Sequence, residues 1–395
     1  MARHPIIIAG AGPTGLSAAL FLMRQGVPVL VIERNAELVD DPRAATFHPP
    51  TLEMLEPSGV TARLLQQGIV ARKWQNRERI GGLVAEFDLA ALAGETRFPF
   101  RLQCEQHKLV AILRDMLAGP DLDLHTGESV LAVEQKSDHV VVRTDRGEYE
   151  TEWLVGADGG RSVVRKSQPF AFEGFTYPER FLVITNTYDF ELDGYAYSNY
   201  VGDPEEWCAV FKVPASGPPG LWRAVFPTDP AVAADDLTAL DAARARLARF
   251  VPTGRPFEVT HTNLYTVHQR VADRFRRGRV VLMGDAAHLN NPLGGMGMNF
   301  GIQDAENFAR AFAEMRATGD DAPLDRFDRQ RRTAANDFLQ AMTIQNKAAL
   351  EERDPAIRAK RSGELRRIAA DEALTHAYLM RTSMIEGLRH ANGLK

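Results

Sequence analysis

The stretch Pro5-Ile6-Ile7-Ile8-Ala9-Gly10-Ala11-Gly12-Pro13-Thr14-Gly15, followed through a helical segment to Pro28-Val29-Leu30-Val31-Ile32-Glu33, decides the fold. It predicts a buried strand, a tight turn, a helix, a second buried strand and an acid at that strand's end. Gly10 permits the sharp turn out of the strand. Gly12 carries no side chain to hold a pyrophosphate away from the backbone, and Gly15 lets helix and strand approach closely. Leu16, Ala19, Leu20 and Met23 recur at helical spacing, and Gly26 closes the helix. Free amides and the positive end of the dipole at the helix start near Thr14 suit phosphate oxygens. Glu33 stands at roughly the 20-residue spacing at which an acid bonds a ribose hydroxyl. Together these features predict a doubly wound α/β domain with a dinucleotide site.

Working outward, composition bounds the rest. The chain has 395 residues, 45% hydrophobic and 25% charged, as in an ordinary globular protein of two or three domains. A net charge of -5 gives no electrostatic case for a nucleic-acid partner. Two cysteines, Cys104 and Cys208, form neither a metal spacing nor a disulfide framework, so no metal is expected and a reducing cytoplasm is. The first apolar run is the first strand rather than a secretion signal. The longest apolar candidate for a bilayer crossing, Leu16 to Leu30, is broken by Arg24, Gln25 and Gly26. The expectation is therefore a cytoplasmic protein without a membrane span.

Farther along, Pro49-Pro50 is expected to end any regular element, with a short helix after it. Residues 74–100 read as strands and loops, Gln106 to Leu117 as a helix, and Leu122 to Glu150 as an antiparallel meander. Residues 174–260 change character: aromatics cluster, Gly and Pro recur, and alternation with period two predicts a separate antiparallel sheet, closed by a helix near Leu237 to Phe250. From Pro323 onward the chain is charged and helical, interrupted at Asp354-Pro355.

Two further glycine–acid segments each follow a short apolar strand: Asp158-Gly159 with Arg161 and Arg165, and Gly284-Asp285 running through His288 and Pro292 to Gly295, Gly297, Met298 and Asn299. Singly, each reads as a tight turn capped by an Asx side chain. Three such turns after three buried strands point instead to one extended nucleotide ligand, with the glycines of 294–297 baring backbone amides at a helix start.

With all three segments in this order, the chain resembles the group A flavoprotein aromatic hydroxylases, the para-hydroxybenzoate hydroxylase family, over nearly its whole length. The resemblance implies a Rossmann-like FAD-binding domain with an inserted, mostly antiparallel β substrate domain and C-terminal helices. The expected division is FAD-binding at 1–73, 103–173 and 263–340, substrate domain at 74–102 and 174–262, and a helical segment at 341–395. It implies FAD as cofactor, held by Gly10, Gly12, Pro13, Thr14, Gly15, Glu33 and Arg34 at the AMP half. Arg43 would meet the pyrophosphate, Gln106 would contact the cofactor, and Asp158, Gly159 and Arg165 would serve FAD and NAD(P)H together. Gly284 and Asp285 would meet the ribityl chain, and Pro292, Gly295, Gly297, Met298 and Asn299 the flavin edge. His48 and His288 are read as structural rather than as bases.

The substrate end is informative where it differs. Tyr200 falls on the tyrosine that bonds a phenolic oxygen in the family, whereas Phe211 and Val213 replace the serine and arginine that grip a carboxylate. Period-two alternation puts Phe211 and Val213 on one apolar strand face. Tyr200, Arg223 and Pro292 are the expected catalytic residues; Trp207, Phe211 and Val213 join them around the substrate. Arg223 is the leading candidate for a substrate cation, with Arg180 and Arg101 behind it. The implied activity is NAD(P)H- and O2-consuming hydroxylation of a small phenol or hydroxy-heteroaromatic through a flavin C4a-hydroperoxide. The residues leave open an FAD-dependent reductase without oxygen insertion, a non-catalytic flavin-binding module, NADH or NADPH as donor, and a homodimer. Whether the C-terminal helices cover the pocket is also open, as is a contact from Tyr378.

Overall fold

A computed structural model describes residues 3–37, 44–119 and 122–395. Strand β1 (Arg3–Ala9), helix α1 (Pro13–Met23) and strand β2 (Val29–Glu33) form the expected unit. Its apolar runs are buried because β1 and β2 occupy the middle of a parallel sheet covered on both faces. In that sheet Val280–Leu282, Glu148–Gly156, β1, β2 and Leu122–Thr126 lie side by side, all parallel. The three nucleotide-type turns therefore leave the carboxyl ends of neighbouring strands, the edge where doubly wound sheets bind ligands.

Leu122–Thr126 corrects the expected meander. It pairs parallel to β2, and only Val130–Gln135, Val140–Thr144 and Glu148–Gly156 run antiparallel. The helix Gln106–Leu117 supplies the crossover that returns the chain parallel, which strand composition alone does not reveal. The prolines are a second correction: Pro49 and Pro50 open the helix Pro49–Leu55, where a missing N–H costs nothing. The expected helix near 237–250 is two, Ala234–Thr238 and Leu240–Phe250, divided at Ala239.

The second sheet has eight strands, with Lys73–Glu78 and Gly82–Asp88 at one edge and Phe172–Asn186 and Val259–Ala272 toward the other. These last two, of 15 and 14 residues, run through the expected domain junctions near 174 and 262 as a continuous ribbon. One face of this sheet, with Leu182, Val210, Trp222 and Phe226, packs on Leu247 and Phe250 of the short helix. The opposite face carries Trp74, Tyr200, Ala209, Phe211 and Val225, and points toward the glycine loop near 294 and the helices beyond 341. Among the described residues no helix is long and apolar enough to cross a membrane.

Candidate active site

The first turn is built by steric necessity. Gly10 has φ +103°, and a Cβ there would lie 2.4 Å from the Ala157 carbonyl oxygen; one on Gly15 would lie 1.9 Å from the Gly10 oxygen. A Cβ on Gly12 would meet nothing within 4 Å, so bare backbone faces open space at the start of α1. Glu33 ends β2 with its carboxylate fixed: Oε2 accepts from the Ala11 amide at 2.8 Å, and Oε1 from the Asn35 backbone and side chain. Arg34 is exposed, and Arg43 lies outside the described residues.

Tertiary packing joins the three turns. Thr14 Oγ1 sits where a Cβ on Gly284 or Gly301 would approach to 2.5 or 2.2 Å, so Pro13–Thr14 nests against the third turn. Arg165 joins the second turn to the third, its guanidinium donating to the Gly160 and Ala286 carbonyls at 2.8 Å each while lying over Phe172. Its side chain is thus committed to the scaffold. Asp158 likewise accepts from Ser162 Oγ and from the amides of Val163 and Val164, capping the next short helix. Gly159, at φ +79°, makes the turn between them.

Beneath the third turn, Asp304 accepts from the Gly284 amide at 3.0 Å, His288 Nε2 at 2.7 Å and Arg331 Nε at 2.6 Å. Burial alone would raise its pKa; Arg331, then His288, hold it below the ordinary carboxylate value. His288 is therefore engaged in the scaffold. Asp285 projects to the surface at the same turn.

The glycine loop is pinned by Asn299. Its amide donates to the Thr46 and Gly295 carbonyls at 2.8 Å, and its Oδ1 accepts from the His48 amide at 2.9 Å. Gly297 and Met298 begin the helix Gly297–Thr318 beside this anchor, while Pro292 is exposed at the loop's entry. His48 bonds the Gly294 carbonyl through Nε2, and its pKa is lowered to about 3 by burial and then by Arg101. It is neutral near pH 7, with Nδ1 buried and lacking a hydrogen-bond partner.

Gln103 was not anticipated. Its Oε1 accepts from Thr46 Oγ1, leaving Nε2 buried without a partner, whereas the expected Gln106 is a half-exposed first residue of its helix. Gln103 ends the three-residue strand Arg101–Gln103, too short for its sequence pattern to mark it. Open space at Gly12, two helix starts and the orphaned polar atoms of Gln103 and His48 fit a phosphate-bearing flavin dinucleotide.

A cavity of about 260 Å³ opens between the second sheet, the glycine loop and the C-terminal helices. Twelve of its eighteen lining residues lie between Met342 and Thr382, so those helices form its wall. Tyr200 lines it beside Trp74, edge-on at 5.8 Å between ring centres; Tyr378 stacks on Trp74 at 5.7 Å and meets Phe87 at 4.7 Å. Burial pushes the Tyr378 hydroxyl up to about 12, so it is a neutral donor.

Of the residues expected around a substrate, only Tyr200 lines this cavity. Trp207 packs edge-on against Phe181 at 5.1 Å, and Phe211 belongs to the same apolar layer behind Tyr200. Val213 is buried, Arg223 stands opposite Phe211 in the strand register, and Pro292 lies outside the lining. Leu293 of the glycine loop and Leu350 of the C-terminal helices join Trp207 and Phe211 in one apolar cluster, which fills that part of the sheet face. Of the three candidate cations only Arg101 lines the cavity; Arg180 donates to the Val232 carbonyl.

Three turns at the carboxyl ends of neighbouring parallel strands, beside an aromatic cavity, are the arrangement of a dinucleotide-binding enzyme. Residues 3–342 match the FAD binding domain family, and the chain belongs to it, among the flavoprotein aromatic hydroxylases. It is 33% identical over 392 residues to para-nitrophenol 4-monooxygenase from Pseudomonas sp., covering 97% of this chain and 96% of that one. It is 33% identical over 313 residues to 6-hydroxy-3-succinoylpyridine 3-monooxygenase from Pseudomonas putida, covering 77% of each. The crystal structure of a p-nitrophenol 4-monooxygenase from Pseudomonas putida superposes with a TM-score of 0.91 at 31% identity, over 98% of both chains. The protein is an FAD-dependent aromatic monooxygenase that uses O2 and a reduced nicotinamide donor.

Proposed function

We propose that this enzyme hydroxylates a single-ring phenol held in the cavity at Tyr200. The carrying observation is the cavity itself. At about 260 Å³ it falls below the usual ~300–1,000 Å³ of ligand sites and suits one substituted ring rather than a fused polycycle. Its walls, Trp74, Tyr200 and Tyr378, offer ring faces and edges that orient an aromatic substrate by offset and edge contacts.

A bound FAD supplies the oxygen-transfer chemistry. The chain's own groups do the rest. Tyr200 bonds the ring oxygen and favours the electron-rich phenolate over the phenol, directing attack to the neighbouring carbon. The C-terminal helices wall the cavity, and a substrate that displaces water from it strengthens that bond. Arg165, Asp304 and Asn299 hold the three turns in register without touching the substrate. The free, buried thiols Cys104 and Cys208 fit a cytoplasmic setting.

The test is NAD(P)H oxidation and O2 uptake by the FAD-loaded enzyme with a panel holding 4-nitrophenol, 4-hydroxybenzoate, 4-methylphenol and a hydroxypyridine. Label from 18O2 should appear in the product of at least one monocyclic phenol. Failure of every phenol to stimulate oxidation or acquire label would overturn the proposal.

A further inference from the structure

We infer that Arg361, with Arg101 across the cavity, forms an anion subsite through which the C-terminal helices select ring substrates bearing anionic oxygen. The inference rests on the proposed hydroxylase reading and names the substrate class of the same cavity. The strand positions that would carry a carboxylate clamp are Phe211 and Val213, which hold no charge. The cavity is nevertheless cationic.

Arg361 lies on the helix Pro355–Ala369 and lines the cavity, yet it makes no side-chain hydrogen bond or ion pair among the described residues. Burial disfavours its charge and Glu78 favours it, but Glu78 is already engaged by Arg358 and Ser362. Arg381, also in the lining, donates to Gln345 Oε1 at 2.6 Å. Glu364, the one acid of the lining, is 3.8 Å from Arg367.

On the sheet side, Arg101 is 3% exposed and lies 5.1 Å above the Trp74 ring. Among the described residues its side chain makes one hydrogen bond, a long one of 3.4 Å to the Thr382 carbonyl, and its Nε is buried without a partner. Trp74 Nε1, another buried donor, also lacks one. Both guanidinium groups line the same cavity as Tyr378. Two partly desolvated cations and an unpaired indole N–H are costly unless a ligand brings acceptors. Anionic oxygen on a ring supplies them, and a guanidinium binds it through paired N–H donors. That oxygen is either the phenolate itself or an acidic substituent.

The experiment measures dissociation constants by quenching of protein fluorescence in the FAD-loaded enzyme at pH 8. The probes are 4-nitrophenol, ionised at that pH, 4-nitroanisole, its neutral methyl ether, and 4-hydroxybenzoate, charged only at its carboxylate. Arg361→Gln should weaken the anion that the wild-type enzyme binds by about tenfold to a hundredfold, while leaving 4-nitroanisole within about twofold; Arg361→Lys should recover part of the loss. Selective loss for 4-nitrophenol assigns the subsite to the phenolate, and selective loss for 4-hydroxybenzoate to the carboxylate. If 4-nitrophenol or 4-hydroxybenzoate is bound and hydroxylated but Arg361→Gln changes anionic and neutral probes alike, the anion subsite is overturned and the hydroxylase reading stands. If no phenol of the panel is bound or turned over, both fall together.

Discussion

Asp304→Asn is the substitution with the most to say about how the cofactor cradle is held. Asp304 and Arg331 are both wholly buried, with Nε to Oδ1 at 2.6 Å, and the second carboxylate oxygen holds the Gly284 amide and His288. Asparagine keeps the shape but leaves the Arg331 guanidinium uncompensated; breaking a buried pair in this way costs about 3–5 kcal/mol. At about 2–4 °C per kcal/mol for domains of ordinary size, the melting temperature of the FAD-free protein should fall on the order of 10 °C. FAD affinity should fall too, because Gly284 loses its anchor. The sign with pH follows from the lowered pKa of Asp304: its contribution is complete above the unfolded carboxylate value and disappears only as pH falls through the folded one. The effect must therefore be full-sized at pH 7. Thermal melts and FAD titrations of Asp304→Asn and of Asp304→Leu with Arg331→Met provide the assay, and the apolar pair should regain part of the loss. A melting temperature within about 2 °C of wild type for Asp304→Asn would refute the reasoning.

Gly12→Ala and Gly15→Ala should separate binding from folding. The first meets no protein atom and should raise the FAD dissociation constant about tenfold or more with an unchanged apoprotein melt, whereas the second meets the Gly10 oxygen at 1.9 Å and should cost about 1–3 kcal/mol of stability. His48, neutral and buried with its pKa lowered to about 3 from 6.5, makes the unfolded chain the better proton binder between those values. Stability should fall with acidification across that window by up to about 1.4 kcal/mol per pH unit, and His48→Gln should flatten the slope in chemical denaturation. Tyr200→Phe should lower the hydroxylation rate about tenfold or more and move its pH profile to the alkaline side; an unchanged rate and profile would remove Tyr200 from the chemistry. Cys104, its thiol pushed up to about 12 by burial, should resist aromatic disulfide reagents until the chain unfolds.

The sequence by itself determined the cofactor domain, because its constraints are local. A strand, a glycine turn and a helix start are set by φ, by close approach and by residue spacing, and Gly10, Gly12, Gly15 and Glu33 carry all of these within one stretch. The apolar face bearing Phe211 was legible for the same reason, since alternation is a property of neighbours. Tertiary structure alone decided what neighbours cannot report. Leu122–Thr126 became a parallel strand because the preceding helix crosses over the sheet, and Arg165 and Asp158 were drawn into stitching turns together. Gln103 emerged only as a buried amide without a partner. Above all, Arg361 and Tyr378 sit in helices whose charge reads as a solvated surface, yet those helices fold back over Tyr200 and wall the cavity. Backbone conformation is encoded over a few residues, whereas a cavity wall depends on contacts between segments well over a hundred residues apart, which no local pattern records.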